Sequence, residues 1–358
     1  MVLEKLNNLE LPASADMHVH LRDGATKNLV VPSIRDGGVN CVMVMPNLVP
    51  PITTVSHALE YQKSLQALAP KVTFLMSLYL HPSVTPATIA EAAAAGIKNV
   101  KSYPAGVTTN SSAGVVDYSV FYPVFAAMEE HNMILNLHGE LPSTADSSIT
   151  VLSAEEKFLP TLLALHKAFP RLRIILEHCT TAAAIETVKS CGPTVAATIT
   201  AHHLYLIVDD VVGNPHHFCK PVAKLPADRK ALLSAAVAGG EKFFFGSDSA
   251  PHAVSAKEMR MKPAAGCFTQ GEATQLVLEA VVGAVGKGLL KEEEVTVEGL
   301  EGFLGNYGRK FYGVEANGEK IVLKRGGAKV ADMLRGEGDL EIMPFRAGEE
   351  TWSLEWKA

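Results

Sequence analysis

Short apolar segments alternate with longer amphipathic segments along most of the chain. The short segments are rich in β-branched and other apolar residues, which is typical of strands buried on both faces of a parallel sheet. These predicted strands are Ala15–Leu21, Asn40–Met45, Val72–Tyr79, Ile97–Ser102, Met133–His138, Arg173–His178, Thr194–Thr200 and Lys242–Ser247. The predicted helices are Thr54–Leu68, Thr85–Ala95, Tyr118–His131, Ala154–Ala168, Ala182–Ser190, Ala227–Gly239 and Gly271–Val285.

Eight strands that alternate with helices predict an α/β fold of the TIM-like (β/α)8 barrel type. The alternative is an open doubly wound sheet, but no Gly-x-Gly-x-x-Gly follows the first predicted strand. We expect one domain over residues 1–358, with the barrel core at about 13–300. Short predicted strands at Lys320–Lys324 and Trp352–Trp356 belong to a C-terminal appendage at about 313–358, packed on the barrel.

Composition narrows the class of protein further. Of the 358 residues, 47% are hydrophobic, and the net charge of −6 comes with no basic block of the kind that binds nucleic acid. No apolar run is long enough to span a membrane, and Met1–Lys5 contains no apolar signal core. The five cysteines are scattered without a Cys-x-x-Cys pair, which favours free thiols in a reducing compartment. We therefore expect a cytoplasmic protein.

The first predicted strand ends in the chain's most distinctive stretch, Asp16-Met17-His18-Val19-His20-Leu21-Arg22. His18 and His20 are two residues apart, so on a strand both side chains point to one face. Two such imidazoles can bind one metal ion together. With 13 histidines in the chain, a His-x-His pair also arises by chance, and a zinc site needs at least three protein ligands. Other strands must supply the missing ligands.

The ends of four other predicted strands carry residues of the required types. In a barrel of this kind, catalytic residues come from the C-terminal ends of several strands. Lys101, His138, His178 and Asp248 all occupy such positions, which predicts a metal site. Burial favours the neutral form of a lysine, and a neutral amine near two cations can add CO2 to form a bridging carbamate. Taken alone, Lys101 would be read as a surface or salt-bridged lysine.

These residues carry a family resemblance over nearly the whole chain. The order His-x-His, Lys, His, His, Asp on a predicted barrel resembles the amidohydrolase superfamily and, within it, the single-function dihydroorotases of pyrimidine biosynthesis. The matching stretches are DMHVHLRDG at 16–24, MPNLVPP at 45–51, KSYPAGVTTNS at 101–111, LNLHGE at 135–140, EHCTT at 177–181, ATITAHHL at 197–204, GSDSAPH at 246–252 and AGCF at 265–268.

The resemblance implies a centre of two Zn²⁺ ions and a catalytic carboxylate. One ion would be held by His18, His20 and Asp248, and the other by His138 and His178. Carboxylated Lys101 (N6-carboxylysine) and a hydroxide would bridge the two ions. Asp248 would also act as the general base and general acid.

The resemblance also implies a substrate pocket and a lid. The residues matching the family's substrate contacts are Arg22, Asn47, His138, Lys220, His252 and Ala265. At Lys220 the family usually has an apolar residue and uses its backbone. Thr108 and Thr109 match the lid threonines and lie in a loop rich in Gly, Ser and Thr, residues 104–114. His202 and His203 follow the seventh predicted strand, and the resemblance does not use them as ligands.

The implied reaction is the reversible, zinc-dependent cyclisation of N-carbamoyl-L-aspartate to L-dihydroorotate by a homodimeric enzyme. One alternative is a hydantoinase or dihydropyrimidinase, whose substrate lacks the ring carboxylate that Arg22, Asn47 and His252 would bind. A second alternative is a non-catalytic barrel that serves as an assembly scaffold. A scaffold is expected to have lost metal ligands, whereas here every ligand position is filled.

Overall fold

The computed structural model describes residues 6–143, 148–259 and 261–357. Met1–Lys5, the stretch without an apolar signal core, lies outside the described residues. The strands, labelled β1 to β14 in chain order, are Leu9–Pro12, Ser14–Val19, Val39–Val44, Thr73–Leu75, Ser77–Tyr79, Asn99–Ser102, Ile134–His138, Arg173–Glu177, Val195–Ile199, Phe243–Phe245, Lys320–Lys329, Leu334–Arg335, Glu341–Ile342 and Glu350–Lys357. The α-helices, labelled α1 to α12, are Gly24–Val30, Val55–Leu68, Pro86–Ala94, Tyr122–Glu130, Ala154–Ala168, Ala182–Ser190, Val208–Val211, Pro226–Ala238, Val254–Glu258, Ala273–Gly286, Val297–Glu301 and Tyr307–Tyr312.

Strands β2 to β10 form the predicted (β/α)8 barrel. They pair in parallel in the orders β2-β3-β4 and β5-β6-β7-β8-β9-β10. Strands β4 and β5 are the two halves of the predicted strand Val72–Tyr79, which is interrupted at Met76. Backbone hydrogen bonds from Asp248 N to His18 O (2.8 Å) and from His20 N to Ser249 O (2.9 Å) join the end of the eighth strand to the first. These bonds close the barrel.

Alternation along the strands separates an inner core from an outer one. On β7, Ile134 belongs to the inner cluster, while Leu135 and Leu137 pack in the outer cluster. Asn136 and His138 share the inward-facing side with Ile134 because they follow it at intervals of two. The full inner cluster consists of Ala15, Met17, Cys41, Met43, Met45, Ile134, Ile175, Ala196, Phe244 and Tyr312. The same alternation therefore directs polar residues near strand ends towards the barrel axis.

Strand β2 departs from simple alternation. Asp16 pairs with Val42 and Val19 with Val44, so the register shifts between them. Met17 lies in the inner cluster and Val19 in the outer one, and the shift also turns His18 inwards. The Asp16 carboxylate accepts hydrogen bonds from the backbone N of His18 (3.2 Å) and of Ser247 (2.7 Å). This irregularity brings His18 into the barrel, and the sequence pattern alone did not reveal it.

The sequence pattern missed several short elements. The predicted helix Tyr118–His131 begins as a 3₁₀ turn, Tyr118–Phe121, and becomes α-helical only in α4. Helices α1, α9, α11 and α12 have five to seven residues each, too few for a helical hydrophobic period to be recognised.

Among the described residues, none of the helices has the length and apolar character of a membrane span.

The N-terminal and C-terminal segments meet in one sheet. Strand β11 pairs antiparallel with both β1 and β14. Strands β11 and β14 are longer than the predicted segments, and β1 was not predicted at all. Trp352 of β14 is almost fully buried, and its indole donates a 2.7 Å hydrogen bond to Glu279 of α10. The tail thus packs on the outside of the barrel.

Candidate metal centre and substrate pocket

Three of the predicted ligands form a tight cluster at the mouth of the barrel. Oδ1 of Asp248 lies 3.1 Å from Nε2 of His20 and 3.4 Å from Nε2 of His18. All three side chains are buried. A set of two imidazoles and one carboxylate with converging ligand atoms is suited to a divalent metal ion.

The other predicted ligands lie beside this cluster. The ring centroids of His18 and His178 are 5.1 Å apart, and those of His138 and His178 are 4.6 Å apart. Nζ of Lys101 lies 5.1 Å from the centre of the Tyr103 ring, and the lysine is fully buried. Among the described residues, His18 Nε2, His178 Nδ1 and Lys101 Nζ have no hydrogen-bond partner. Buried polar atoms usually have a partner, so these three atoms are available to a bound group.

Polar side chains orient three of the histidines. Nδ1 of His18 lies 2.7 Å from Oε2 of Glu177, and Nδ1 of His20 lies 2.8 Å from Oδ1 of Asn47. Nε2 of His138 lies 2.9 Å from Oε2 of Glu140. Each contact engages one ring nitrogen and leaves the other for a ligand, as is usual for metal-binding histidines. Sequence analysis did not assign these orienting roles to Glu140 or Glu177.

The backbone is strained at three positions in this centre. Arg22 (φ 58°), His178 (φ 41°) and Asp248 (φ 46°) adopt the left-handed conformation that non-glycine residues rarely occupy. Such conformations cost on the order of 1–3 kcal/mol each and concentrate at functional sites. All three residues lie one to three positions after the end of a barrel strand.

Burial and mutual charge shift the pKa values of the cluster. Burial alone would raise the pKa of Asp248, but the hydrogen bond from His20 and the charges of His18 and His20 hold it well below its usual range. Burial lowers the pKa of His20 to about 4, against the opposing effect of Asp248. Burial also lowers the pKa of Lys101 to about 8, although Glu177 and Asp248 oppose the shift. Near neutral pH the centre therefore has an ionised carboxylate, a neutral His20 and a lysine that loses its proton easily.

A small cavity opens directly above the cluster. It is lined by His18, His20, Arg22, Asn47, Tyr103, Thr108, Thr109, His138, His178, Lys220, Asp248, Ala250, Ala265 and Gly266. Lys101 and His252 do not line it. Nε2 of His252 lies 3.0 Å from both Nη2 of Arg22 and the carbonyl O of Ala265, and a neutral ring nitrogen can satisfy only one of these contacts. His252 therefore contacts the pocket through Arg22 and Ala265.

The lid loop lies against the pocket. Nδ2 of Asn47 donates to the carbonyl O of Thr109 (3.1 Å), and Nδ2 of Asn110 donates to the carbonyl O of Asn47 (2.9 Å). The cavity has only about 10 Å³ of free space, enough for about one water molecule. Asn47 thus joins the lid to His20 through its two amide atoms.

His202 and His203 form a separate buried group with Cys219. Both ring nitrogens of His203 already have partners: Thr200 Oγ1 at 2.8 Å and the carbonyl O of Pro221 at 3.0 Å. Cys219 Sγ also lies 3.2 Å from that carbonyl. These contacts hold the segment that carries Lys220 against the pocket.

Comparison with known proteins places this geometry in a family. A family model described as amidohydrolase matches residues 49–283. Dihydroorotase of Saccharomyces cerevisiae is 48% identical over 98% of this chain and 99% of its own length. The crystal structure of the yeast protein in complex with 5-fluoroorotic acid has a TM-score of 0.91 and covers 98% of this chain and 99% of that one. An L-hydantoinase (dihydropyrimidinase) from Arthrobacter aurescens has a TM-score of 0.80 at 20% identity, covering 97% of this chain and 82% of that one, which shows the fold alone.

The barrel and the family match together define the class: the chain belongs to the amidohydrolases, enzymes that hydrolyse amide bonds. Within that class it belongs to the dihydroorotase family, which acts on a cyclic amide in pyrimidine biosynthesis. The resemblance found in the sequence is confirmed, and the likeness to the hydantoinase is one of fold.

Proposed function

We propose that the chain interconverts N-carbamoyl-L-aspartate and L-dihydroorotate at the cluster of His18, His20 and Asp248. The position of Arg22 carries this proposal. Its guanidinium is at the edge of the cluster, and Nε donates a 3.1 Å hydrogen bond to the carbonyl O of Pro251. No carboxylate of the described residues forms an ion pair with it. A planar guanidinium suits both oxygens of a substrate carboxylate, the group that hydantoins lack.

The donor set fits two zinc ions. His18, His20 and Asp248 would hold one ion, His138 and His178 the other, and carboxylated Lys101 would bridge them. The buried atoms without partners, on His18, His178 and Lys101, support this arrangement. When bound, the ions supply Lewis acidity, which lowers the pKa of a bound water and polarises the amide carbonyl.

Asp248 is the group that moves the proton. Its low pKa keeps the carboxylate ionised, and its Oδ1 lies among the nitrogens of His18 and His20. In ring opening it takes the proton of the attacking water and delivers it to the leaving ring nitrogen. In ring closure it accepts a proton from the ureido nitrogen as that nitrogen attacks the carboxyl carbon, and it gives this proton to the carboxyl oxygen, which leaves as water when the C–O bond breaks.

The pocket residues bind and orient the substrate. Arg22 binds the carboxylate, and Asn47, His252 and the backbone near Ala265 complete its surroundings. The yeast relative binds 5-fluoroorotic acid, a planar pyrimidine with the same carboxylate, which supports this assignment. Thr108 and Thr109 exclude water when the lid lies over the ring.

Lys220 is half-buried and lines the cavity, and we propose that it binds the substrate through its backbone. We also propose that the protein works in the cytoplasm as a homodimer. Its free, buried cysteines support a reducing compartment.

A direct assay distinguishes this function from that of a hydantoinase or dihydropyrimidinase. Purified protein is supplied with dihydroorotate, N-carbamoyl-aspartate, hydantoin and dihydrouracil in parallel. We expect turnover of the first two and at least 100-fold lower kcat/KM for the two rings without a carboxylate, because loss of a buried charged contact costs about 3 kcal/mol or more. Faster turnover of hydantoin than of dihydroorotate would refute the proposal.

A further inference from the structure

A chain of buried polar side chains runs through the barrel interior to His18. It begins at Tyr312, the last residue of α12, which packs in the inner cluster and is fully buried. The Tyr312 hydroxyl accepts a 2.7 Å hydrogen bond from Nδ2 of Asn136. The same Nδ2 donates to Oε1 of Glu177 at 2.5 Å, and Oε2 of Glu177 lies 2.7 Å from Nδ1 of His18. Three side chains therefore connect a C-terminal helix to the predicted metal ligand His18.

Each member of this chain has its orientation fixed by its partners. Oδ1 of Asn136 accepts a hydrogen bond from Nδ2 of Asn99 at 3.1 Å, so the amide cannot turn over without losing contacts on both sides. Oε2 of Glu177 is shared by His18 and by the hydroxyl of Thr198, which donates at 2.5 Å. Among the described residues Oε1 is bonded only to Asn136. The tilt of the Glu177 carboxylate thus depends on how Asn136 is held.

We infer that Tyr312 is a positioning residue for the metal centre: through Asn136 and Glu177 it fixes the imidazole of His18 with Nε2 facing Asp248. Removal of the hydroxyl leaves one N–H of Asn136 without its acceptor, and the amide and the Glu177 carboxylate then adopt more orientations. The inference rests on the proposed zinc centre, to which His18 contributes a ligand. It assigns a function to a residue that touches neither substrate nor metal.

Zinc affinity of the metal-free protein tests this inference without reference to turnover. Tyr312→Phe removes only the hydroxyl, and the affinity is measured by competition with a coloured chelator. Loss of a residue that directly orients a ligand, as Glu177 does, weakens metal binding about 10- to 100-fold, so for Tyr312, two steps further away, we expect about 3- to 10-fold. Tyr307→Phe is the matched control: it removes the same group from the same helix, and the Tyr307 hydroxyl has no hydrogen bond among the described residues. The Tyr307→Phe variant should bind zinc with the affinity of the wild type.

A double variant distinguishes positioning from general loosening of the barrel. If Tyr312 acts through Glu177, Tyr312→Phe should weaken zinc binding much less in a Glu177→Gln background than in the wild type. Asn136→Ser removes both side-chain N–H groups and should weaken zinc binding at least as much as Tyr312→Phe. It provides the same test if Tyr312→Phe folds poorly. Unchanged affinity in Tyr312→Phe, equal losses in Tyr307→Phe, or additive losses in the double variant would each overturn the inference. Wild-type protein that binds no zinc would instead overturn the proposed function on which it rests.

Discussion

The state of Lys101 gives the sharpest prediction, because its carboxylation requires the neutral amine. Burial lowers the pKa of Lys101 from 10.5 to about 8. At pH 7 the neutral fraction is then about 9%, against about 0.03% for an ordinary lysine, a gain of about 300-fold. The neutral fraction is about 1% at pH 6 and about 50% at pH 8. The buried site thus makes the lysine reactive towards CO2 near neutral pH.

Activation of the metal-free protein by zinc measures this effect. At a fixed concentration of dissolved CO2, the initial rate of activation should rise about 50-fold from pH 6 to pH 8, in step with the neutral fraction. With ¹³C-labelled bicarbonate, a carbamate signal should appear in the wild type. Lys101→Met, which keeps the length of the side chain but has no amine, should show neither the signal nor activity. Equally fast activation in CO2-free buffer, or an active Lys101→Met variant, would refute the reasoning.

Three further predictions concern single side chains. Arg22→Met should lower kcat/KM for dihydroorotate about 100- to 1000-fold, since a buried charged contact is worth about 3–4 kcal/mol, and elemental analysis should find its metal content unchanged. Asp248→Asn should lower kcat at least 100-fold at every pH from 6 to 9, and a rate that recovers with pH would remove Asp248 from proton transfer. Burial raises the pKa of Glu155 from 4.5 to about 7, so its ionisation opposes folding progressively as the pH rises from about 4.5 to 7. The free energy of unfolding of Glu155→Gln, measured in urea, should therefore rise by about 2–3 kcal/mol relative to that of the wild type between pH 5 and pH 8. A difference between the two proteins that does not change with pH would contradict this.

The elements that sequence analysis recovered are those whose pattern is local. Strands such as Ile134–His138 are mostly apolar, and the polar residues at their ends stand out against that background. Alternation along a strand then puts His138 on the same side as Ile134. The barrel and the residues at its mouth follow from this pattern, because parallel strands bring their C-terminal ends to one rim.

The features that sequence analysis missed depend on contacts between distant segments. The register shift after Asp16 depends on hydrogen bonds to Ser247, more than 200 residues away. Tyr312 lies in a six-residue helix whose periodicity is too short to recognise, yet its side chain reaches the barrel interior. Asn136 is visible as a polar residue in an apolar strand, but only the structure connects it to Glu177.

Metal content and activity, measured together, test the central claim most directly. The account predicts two zinc ions per chain, loss of dihydroorotate turnover when a chelator removes them, and recovery of turnover when zinc and bicarbonate are returned. Full turnover by protein shown to contain no metal would contradict it.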